Sequence, residues 1–205
     1  IGTGKGLAVT ADKGRTFQTY TDLNPGLAET EVRSVYKTND ETYWIGLTNG
    51  LAHGRKSTAK IINSSNSNLQ SDTINGITVS DDGILWLATD AGVSYLKPGE
   101  ALFKNINHFT HKQLPEGIVT AVAVDSGIAW IGTFDNGLYR YEIAGGNVTK
   151  VLYDPLRDGA LHSQAITSLL ALPNRGLIVG TYGGGLSVVD SDGQVVRTIR
   201  SLAGS

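Results

Sequence analysis

Ile118 to Glu142, IVTAVAVDSGIAWIGTFDNGLYRYE, reads as three short strands in succession. IVTAVAV alternates between two faces, DSG turns, IAWIGTF runs apolar, DNG turns again, and GLYRYE leaves. β-Branched and aromatic residues fill the runs, while Asp, Asn, Ser and Gly fill the breaks, as strands and tight turns require. The core of this stretch, Trp130 to Leu138, recurs as WIGLTNGL (Trp44 to Leu51), WLATDAGV (Trp86 to Val93) and IVGTYGGGL (Ile178 to Leu186). A fifth copy, IGTGKGL, opens the chain (Ile1 to Leu7).

The glycine before the last apolar residue of each copy falls at Gly6, Gly50, Gly92, Gly137 and Gly185, with gaps of 44, 42, 45 and 48 residues. A period in the forties, with about four short strands per unit, marks propeller blades. Helical repeats of that length need apolar residues at i, i+3, i+4 and i+7 over ten or more positions, and no such run occurs. The expected fold class is all-β: a β-propeller of four-stranded antiparallel blades, about five of them, the first incomplete. The blades fall at about 1–24, 29–66, 72–108, 116–154 and 163–202, in one domain.

The pattern I-x-S-L, a short turn, then WIGT-x-x-GGL resembles the two-component-regulator propeller repeat. ITSLLALPNRGLIVGTYGGGLSVVD, and YDPLRDGALHSQAI before it, carry the resemblance most fully. Two positions depart from the pattern: Ile178 replaces Trp, and Ala88 replaces Gly. The resemblance implies a periplasmic or extracellular sensor segment of a bacterial signalling protein. A second resemblance lies in TADKGRTF (Thr10 to Phe17), which is similar to the Asp-box of sialidase-like propellers. An Asp that bonds turn amides, a Gly at positive φ and a packing aromatic make it a folding device rather than a site.

Composition narrows the function classes. The chain has 205 residues, a net charge of −2, 26 glycines, and neither Cys nor Met. The absence of a basic stripe argues against nucleic acid. Without cysteine there is no disulfide and no thiolate chemistry, which suits an exported protein. No apolar run is long enough for a membrane span, so this segment is not expected to insert in a membrane. The chain opens inside a repeat, so it is expected to be a piece of a longer protein. Closure of the ring then has three routes: missing blades in a larger propeller, which is favoured; a small five-bladed ring; or self-association of two chains.

In a propeller the loops leading into the innermost strands and the turns joining the second and third strands meet around the channel, and loops on a rigid scaffold carry binding. The lead-in loops carry Glu29, Glu31, Glu116, His162 and Gln164; the turns carry Asn49, Asp90, Phe134, Asp135, Asn136 and Tyr182. The candidate ligand-binding set is Asn49, Asp90, Phe134, Asp135, Asn136, His162, Gln164 and Tyr182. Aromatic faces beside amides and carboxylates suit a carbohydrate or another polar small molecule. No cofactor and no metal is expected: His53, His108, His111 and His162 form no ligand motif, and His108 with His111 reads as an exposed pair. The leading expectation is a non-enzymatic binding module. The enzymatic alternative is a lyase or glycosidase, whose acid–base pair would be His162 with Glu116. The third reading is a protein-interaction scaffold. The three Trp residues are expected to wedge between blades.

Overall fold

The computed structural model describes residues 1–20, 30–38, 42–55 and 59–200. Glu29 lies outside the described residues. Five antiparallel sheets follow one another along the chain, each built from consecutive strands in sequence order. Blade 1 holds β1 (Gly2–Thr3), β2 (Gly6–Val9) and β3 (Gln18–Tyr20). Blade 2 holds β4 (Val32–Lys37), β5 (Tyr43–Leu47), β6 (Leu51–Gly54) and β7 (Lys60–Ile62). Blade 3 holds β8 (Ile74–Val79), β9 (Leu85–Thr89), β10 (Gly92–Leu96) and β11 (Lys104–Ile106). Blade 4 holds β12 (Val119–Asp125), β13 (Ile128–Thr133), β14 (Leu138–Glu142) and β15 (Val148–Lys150). Blade 5 holds β16 (Ile166–Leu172), β17 (Gly176–Thr181), β18 (Gly185–Val189) and β19 (Val195–Ile199). The fold is an all-β propeller whose first blade has three strands and the others four. Among the described residues no helix is long and apolar enough to cross a membrane.

Turn chemistry explains the meander. Between β12 and β13, Ser126 and Gly127 take φ of 50° and 78°, the left-handed pair that matches the twist of a two-residue hairpin. Successive blades stack through their first strands: β1 on β4, β4 on β8, β8 on β12 and β12 on β16. The core is therefore a series of layers between blades rather than one central mass.

Trp86 and Trp130 fill two of these layers at 1% exposure each. Trp86 packs with Ile131 and Tyr139 of blade 4, and Trp130 with Ile166 and Val179 of blade 5. Trp44 also packs against the layer between blades 2 and 3. It is only half-buried there, and it stacks on its cross-strand neighbour His53 with ring centroids 3.6 Å apart.

The Asp-box holds the hairpin between β2 and β3. The last strand of the blade begins at Gln18, because Asp12 keeps Thr16 in the turn. The Asp12 carboxylate accepts hydrogen bonds from Thr16 Oγ1 (2.7 Å), Thr16 N (2.8 Å), Thr10 Oγ1 (2.8 Å) and Arg15 N (2.9 Å). These bonds, led by the Thr16 hydroxyl, hold its pKa down from 3.8 to about 2. A pKa lower in the folded state means that the carboxylate stabilises the hairpin above pH 3.8, and that this contribution is lost as pH falls toward 2. An NMR titration of the Arg15 and Thr16 amides is expected to give a midpoint near 2, moving up toward 3.8 in Thr16→Val. An unshifted midpoint in the native protein would remove this account of the box.

Candidate functional site

Each complete blade carries a bulge at the second residue of its inner strand. The pairing register skips Arg33 in β4, Asn75 in β8, Thr120 in β12 and Thr167 in β16. A bulge re-aims the extra side chain out of the ladder. Here three of the four reach the next blade. Asn75 Nδ2 donates to the Val119 carbonyl at 2.9 Å, and Thr120 Oγ1 donates to the Ile166 carbonyl at 2.6 Å. Arg33 Nη1 donates to Asn75 Oδ1 at 2.7 Å.

A charged chain grows from this ladder. Asn75 Nδ2 also donates to Asp90 Oδ1 at 2.9 Å, and Arg33 Nε lies 3.5 Å from Glu31 Oε1. The Asn75 amide is oriented by its partners: its oxygen faces a guanidinium, and its nitrogen faces a carboxylate and a carbonyl. Glu31, Arg33, Asn75 and Asp90 thus form one row across blades 2 and 3. The Glu31–Arg33 pair is partly exposed, with side chains 50% and 37% accessible, so its stabilising effect is small and its partners stay available to a ligand.

The turns between second and third strands share a lock. The hydroxyls of Thr3, Thr89, Thr133 and Thr181 donate to the carbonyls of Gly6, Gly92, Gly137 and Gly185 at 2.7–2.9 Å. Blade 2 has Leu47 at this position, and its backbone amide donates to the Gly50 carbonyl instead. The residue after the Thr then stands at the tip: Gly4, Asp90, Phe134 or Tyr182. Phe134 N donates to the Ile118 carbonyl (3.0 Å) and Tyr182 N to the Ala165 carbonyl (2.8 Å), so turns and lead-in segments occupy one face.

On that face lies an open depression of about 650 Å³. Glu31, Arg33, Asn75, Asp90, Thr120 and Phe134 line it, together with Gly2, Thr3 and Gly4 of blade 1. Phe134 is 60% exposed there. The wall therefore offers one cation, two carboxylates, an amide, a hydroxyl and one aromatic face.

Of the eight residues singled out from the sequence, Asp90 and Phe134 line this depression and the other six do not. Asn49 is exposed at the turn of blade 2. Asp135 accepts from Asn136 Nδ2 at 2.6 Å, and Asn136 N donates to Thr133 Oγ1 at 3.0 Å. Gln164 is spent between blades: its carbonyl accepts from Gly137 N, and its side chain accepts from Lys150 Nζ at 3.1 Å. Tyr182 is 80% exposed at the tip of blade 5. His162 Nε2 accepts from Arg200 Nη2 at 2.8 Å, and its Nδ1 is buried without a partner. Its hydrogen-bond partner is thus Arg200, not Glu116.

His108 and His111 require a correction. They are half-buried rather than an exposed pair. His108 Nδ1 bonds the Leu114 carbonyl at 2.7 Å, which closes the connection on itself, and the His111 ring meets Tyr141 of blade 4 edge-on at 5.2 Å. Among the described residues no cluster of three His, Cys, Asp or Glu could hold a metal.

Arg33, Asn75 and Thr120 went unread as site residues, because in a strand they look like ordinary alternating positions. Their signal is a recurring triplet of β-branched, polar and small residues: Val32-Arg33-Ser34, Ile74-Asn75-Gly76, Val119-Thr120-Ala121 and Ile166-Thr167-Ser168.

The bulged inner strands, the locked turns and the shared face define the class as a β-propeller with a polar channel face. Within that class, the chain is similar to the extracellular domain of the one-component system BT4673 from B. thetaiotaomicron. The identity is 22% and the TM-score 0.72, over 98% of this chain and 28% of that one. It is also similar to the extracellular domain of the hybrid two-component system BT3049 from the same organism, at 20% identity and TM-score 0.66, over 97% of this chain and 33% of that one. PorZ, a surface component of the type-IX secretion system of Porphyromonas gingivalis, aligns at 15% identity and TM-score 0.63, over 97% of this chain and 37% of that one. At these identities the likeness is one of fold, and the chain spans about a third or less of the first two. No protein-family model and no curated protein matches the chain.

Proposed function

We propose that this chain is the ligand-binding propeller segment of a bacterial sensor, working in the periplasm or outside the cell, and that it captures a carbohydrate or similar polar small molecule on its channel face. The observation that carries the reading is the depression in which the row Glu31–Arg33–Asn75–Asp90 runs beside the exposed ring of Phe134. Hydroxyl-rich ligands exchange hydrogen bonds with carboxylates and guanidinium groups while laying an apolar face on an aromatic ring. The fold shared with extracellular domains of signalling proteins supports both the sensor role and the location. Signalling requires that the ligand favour one of two arrangements of the assembly. A ligand that bridges blades 2, 3 and 4 across this wall meets that condition, because its affinity depends on how those blades sit.

The test is isothermal titration of a panel of neutral and acidic oligosaccharides. Binding is expected, and Phe134→Ala is expected to weaken it roughly 2–10-fold, the equivalent of one aromatic face. Phe134 is largely exposed, so the variant keeps the fold. A panel without any binder, or binding indifferent to Phe134→Ala and Arg33→Ala alike, would sink the proposal.

A further inference from the structure

Four interfaces between blades repeat one piece of geometry, and the fifth blade presents the same geometry with none of the described residues packed on it. The apolar residue after each turn glycine faces the following blade. Leu7, Leu51, Val93 and Leu138 are there 5%, 0%, 0% and 0% exposed, yet Leu186, their counterpart in blade 5, is 46% exposed. Leu170 pairs with Ile178 as Ala123 pairs with Trp130. Ala123 and Trp130 are sealed at 5% and 1%, whereas Leu170 is 60% exposed.

The small residue of the second strand tells the same story at atomic scale. A Cβ added to Gly2 would meet Val32 Cγ1 at 2.8 Å, one added to Gly46 would meet Ile74 Cγ2 at 2.9 Å, and one added to Gly132 would meet Ile166 Cγ2 at 2.6 Å. In each case the β-branched residue that opens the next inner strand crowds that space, joined at Gly46 by Ser34 Oγ of the same blade. At Gly180 the three nearest atoms belong instead to Ser168, Thr167 and Leu186 of its own blade. The bulge ladder ends there too. Asn75 and Thr120 each donate to the first carbonyl of the next inner strand, and Thr167 has no side-chain partner among the described residues.

We infer that the open face of blade 5 is the docking surface for a further blade of the same repeat. Its inner strand opens with Val or Ile over Gly180, and its first carbonyl accepts from the Thr167 hydroxyl. The occupant follows from continuity with the established interfaces: the three elements that recur there, namely the apolar patch, the slot for a β-branched residue and the bulge donor, are all present at blade 5. A generic apolar partner would satisfy the patch alone and would leave the other two unused. This inference is independent of the ligand reading above.

The chain has no cysteine, so single-cysteine variants report this face cleanly. Leu170→Cys is placed in the chain and in a version extended after Arg200 by a second copy of residues 156–200. Leu156→Cys, at a position 95% exposed, serves as reference. Maleimide labelling of Leu170→Cys is expected to be fast in the chain alone. In the extended chain it should slow roughly a hundredfold, because reaction then needs opening of a packed layer, with Leu156→Cys unchanged. Lysine at the counterpart of Ile166 in the appended copy is expected to abolish the protection, which separates docking from mere attachment. Unprotected Leu170→Cys in the extended chain would overturn the inference. So would a dimer of the unextended chain, by light scattering, in which Leu170→Cys is already protected, since a second copy would then own the face.

Discussion

Trp130→Ala is expected to cost about 3–5 kcal/mol of stability, the range for removing a buried aromatic side chain from a packed core. Trp130 is 1% exposed and lies in the layer between blades 4 and 5, among Ile128, Leu138, Ile166 and Val179. Neither blade can collapse into the gap, because hydrogen bonds tie them together at the channel (Thr120 Oγ1 to the Ile166 carbonyl) and at the turn (Gly137 N to the Gln164 carbonyl). Domains commonly hold only about 5–15 kcal/mol in total, so the loss is large. For a chain of this size it corresponds to a fall of roughly 6–20 °C in Tm. The comparison that gives the prediction its content is Trp44→Ala. Trp44 occupies the equivalent strand position but is half-buried against His53, so its removal opens less cavity and should cost distinctly less. Far-UV circular dichroism under heat and urea reads both without depending on the deleted fluorophore. Equal losses for the two variants would mean that burial in the blade layers does not set stability.

Much of this architecture was legible because a propeller writes its geometry into the chain once per blade. The turn glycines Gly50, Gly92, Gly137 and Gly185 stand where the backbone takes positive φ, from 78° to 140°, a conformation other residues resist. Trp86 and Trp130 stand where a wide gap between sheets needs a large apolar body. Such demands recur, so the residues recur. The candidate site was legible only in part, for a physical reason. Asp90 and Phe134 sit at turn tips, where polar and aromatic residues attract notice. Arg33, Asn75 and Thr120 sit inside strands, and only the bulge aims them at the next blade. A bulge is a property of pairing between strands, so a single strand's alternation does not display it. It does leave a trace when four strands are aligned: the triplet of β-branched, polar and small residues. Gln164 and His162 failed to join the depression for the complementary reason. Their partners Lys150 and Arg200 are distant in sequence, and those contacts hold Gln164 against blade 4 and His162 against the end of blade 5. Trp44 shows the limit of the repeat itself: the same letter at the same position meets His53 in one blade, Tyr95 in the next and Arg140 in the third, and its burial changes accordingly.

Gly132→Val is expected to destabilise the protein by about 1–3 kcal/mol, as insertion of carbon into a filled layer does. The first added atom would stand 2.6 Å from Ile166 Cγ2, 3.0 Å from Ile166 Cβ and 3.4 Å from Leu169 Cδ1. Relief would require blade 5 to retreat. Thr120 opposes that movement, because its single hydroxyl proton is donated chiefly to the Ile166 carbonyl at 2.6 Å, with the Gly132 carbonyl sharing it at 3.1 Å, so the blades separate only if this bond breaks. Ile166→Ala alone should cost about 2–5 kcal/mol, since it empties a side chain that is 1% exposed. The double variant Gly132→Ala with Ile166→Ala returns one methyl group to a space from which Ile166→Ala has removed three carbons. Its cost should fall short of the sum of the single changes by about 0.5–3 kcal/mol, the coupling typical of residues in direct contact. The alanine also recovers about 0.5–1 kcal/mol of backbone entropy that glycine loses in a strand, so Gly132→Ala in the background of Ile166→Ala is the step whose sign decides the matter. If it stabilises there while destabilising the native protein, glycine at this position exists to admit the next blade's β-branched residue. If it destabilises both backgrounds equally, contact with Ile166 is not what selects glycine, and the lock between blades must lie in the apolar layer alone.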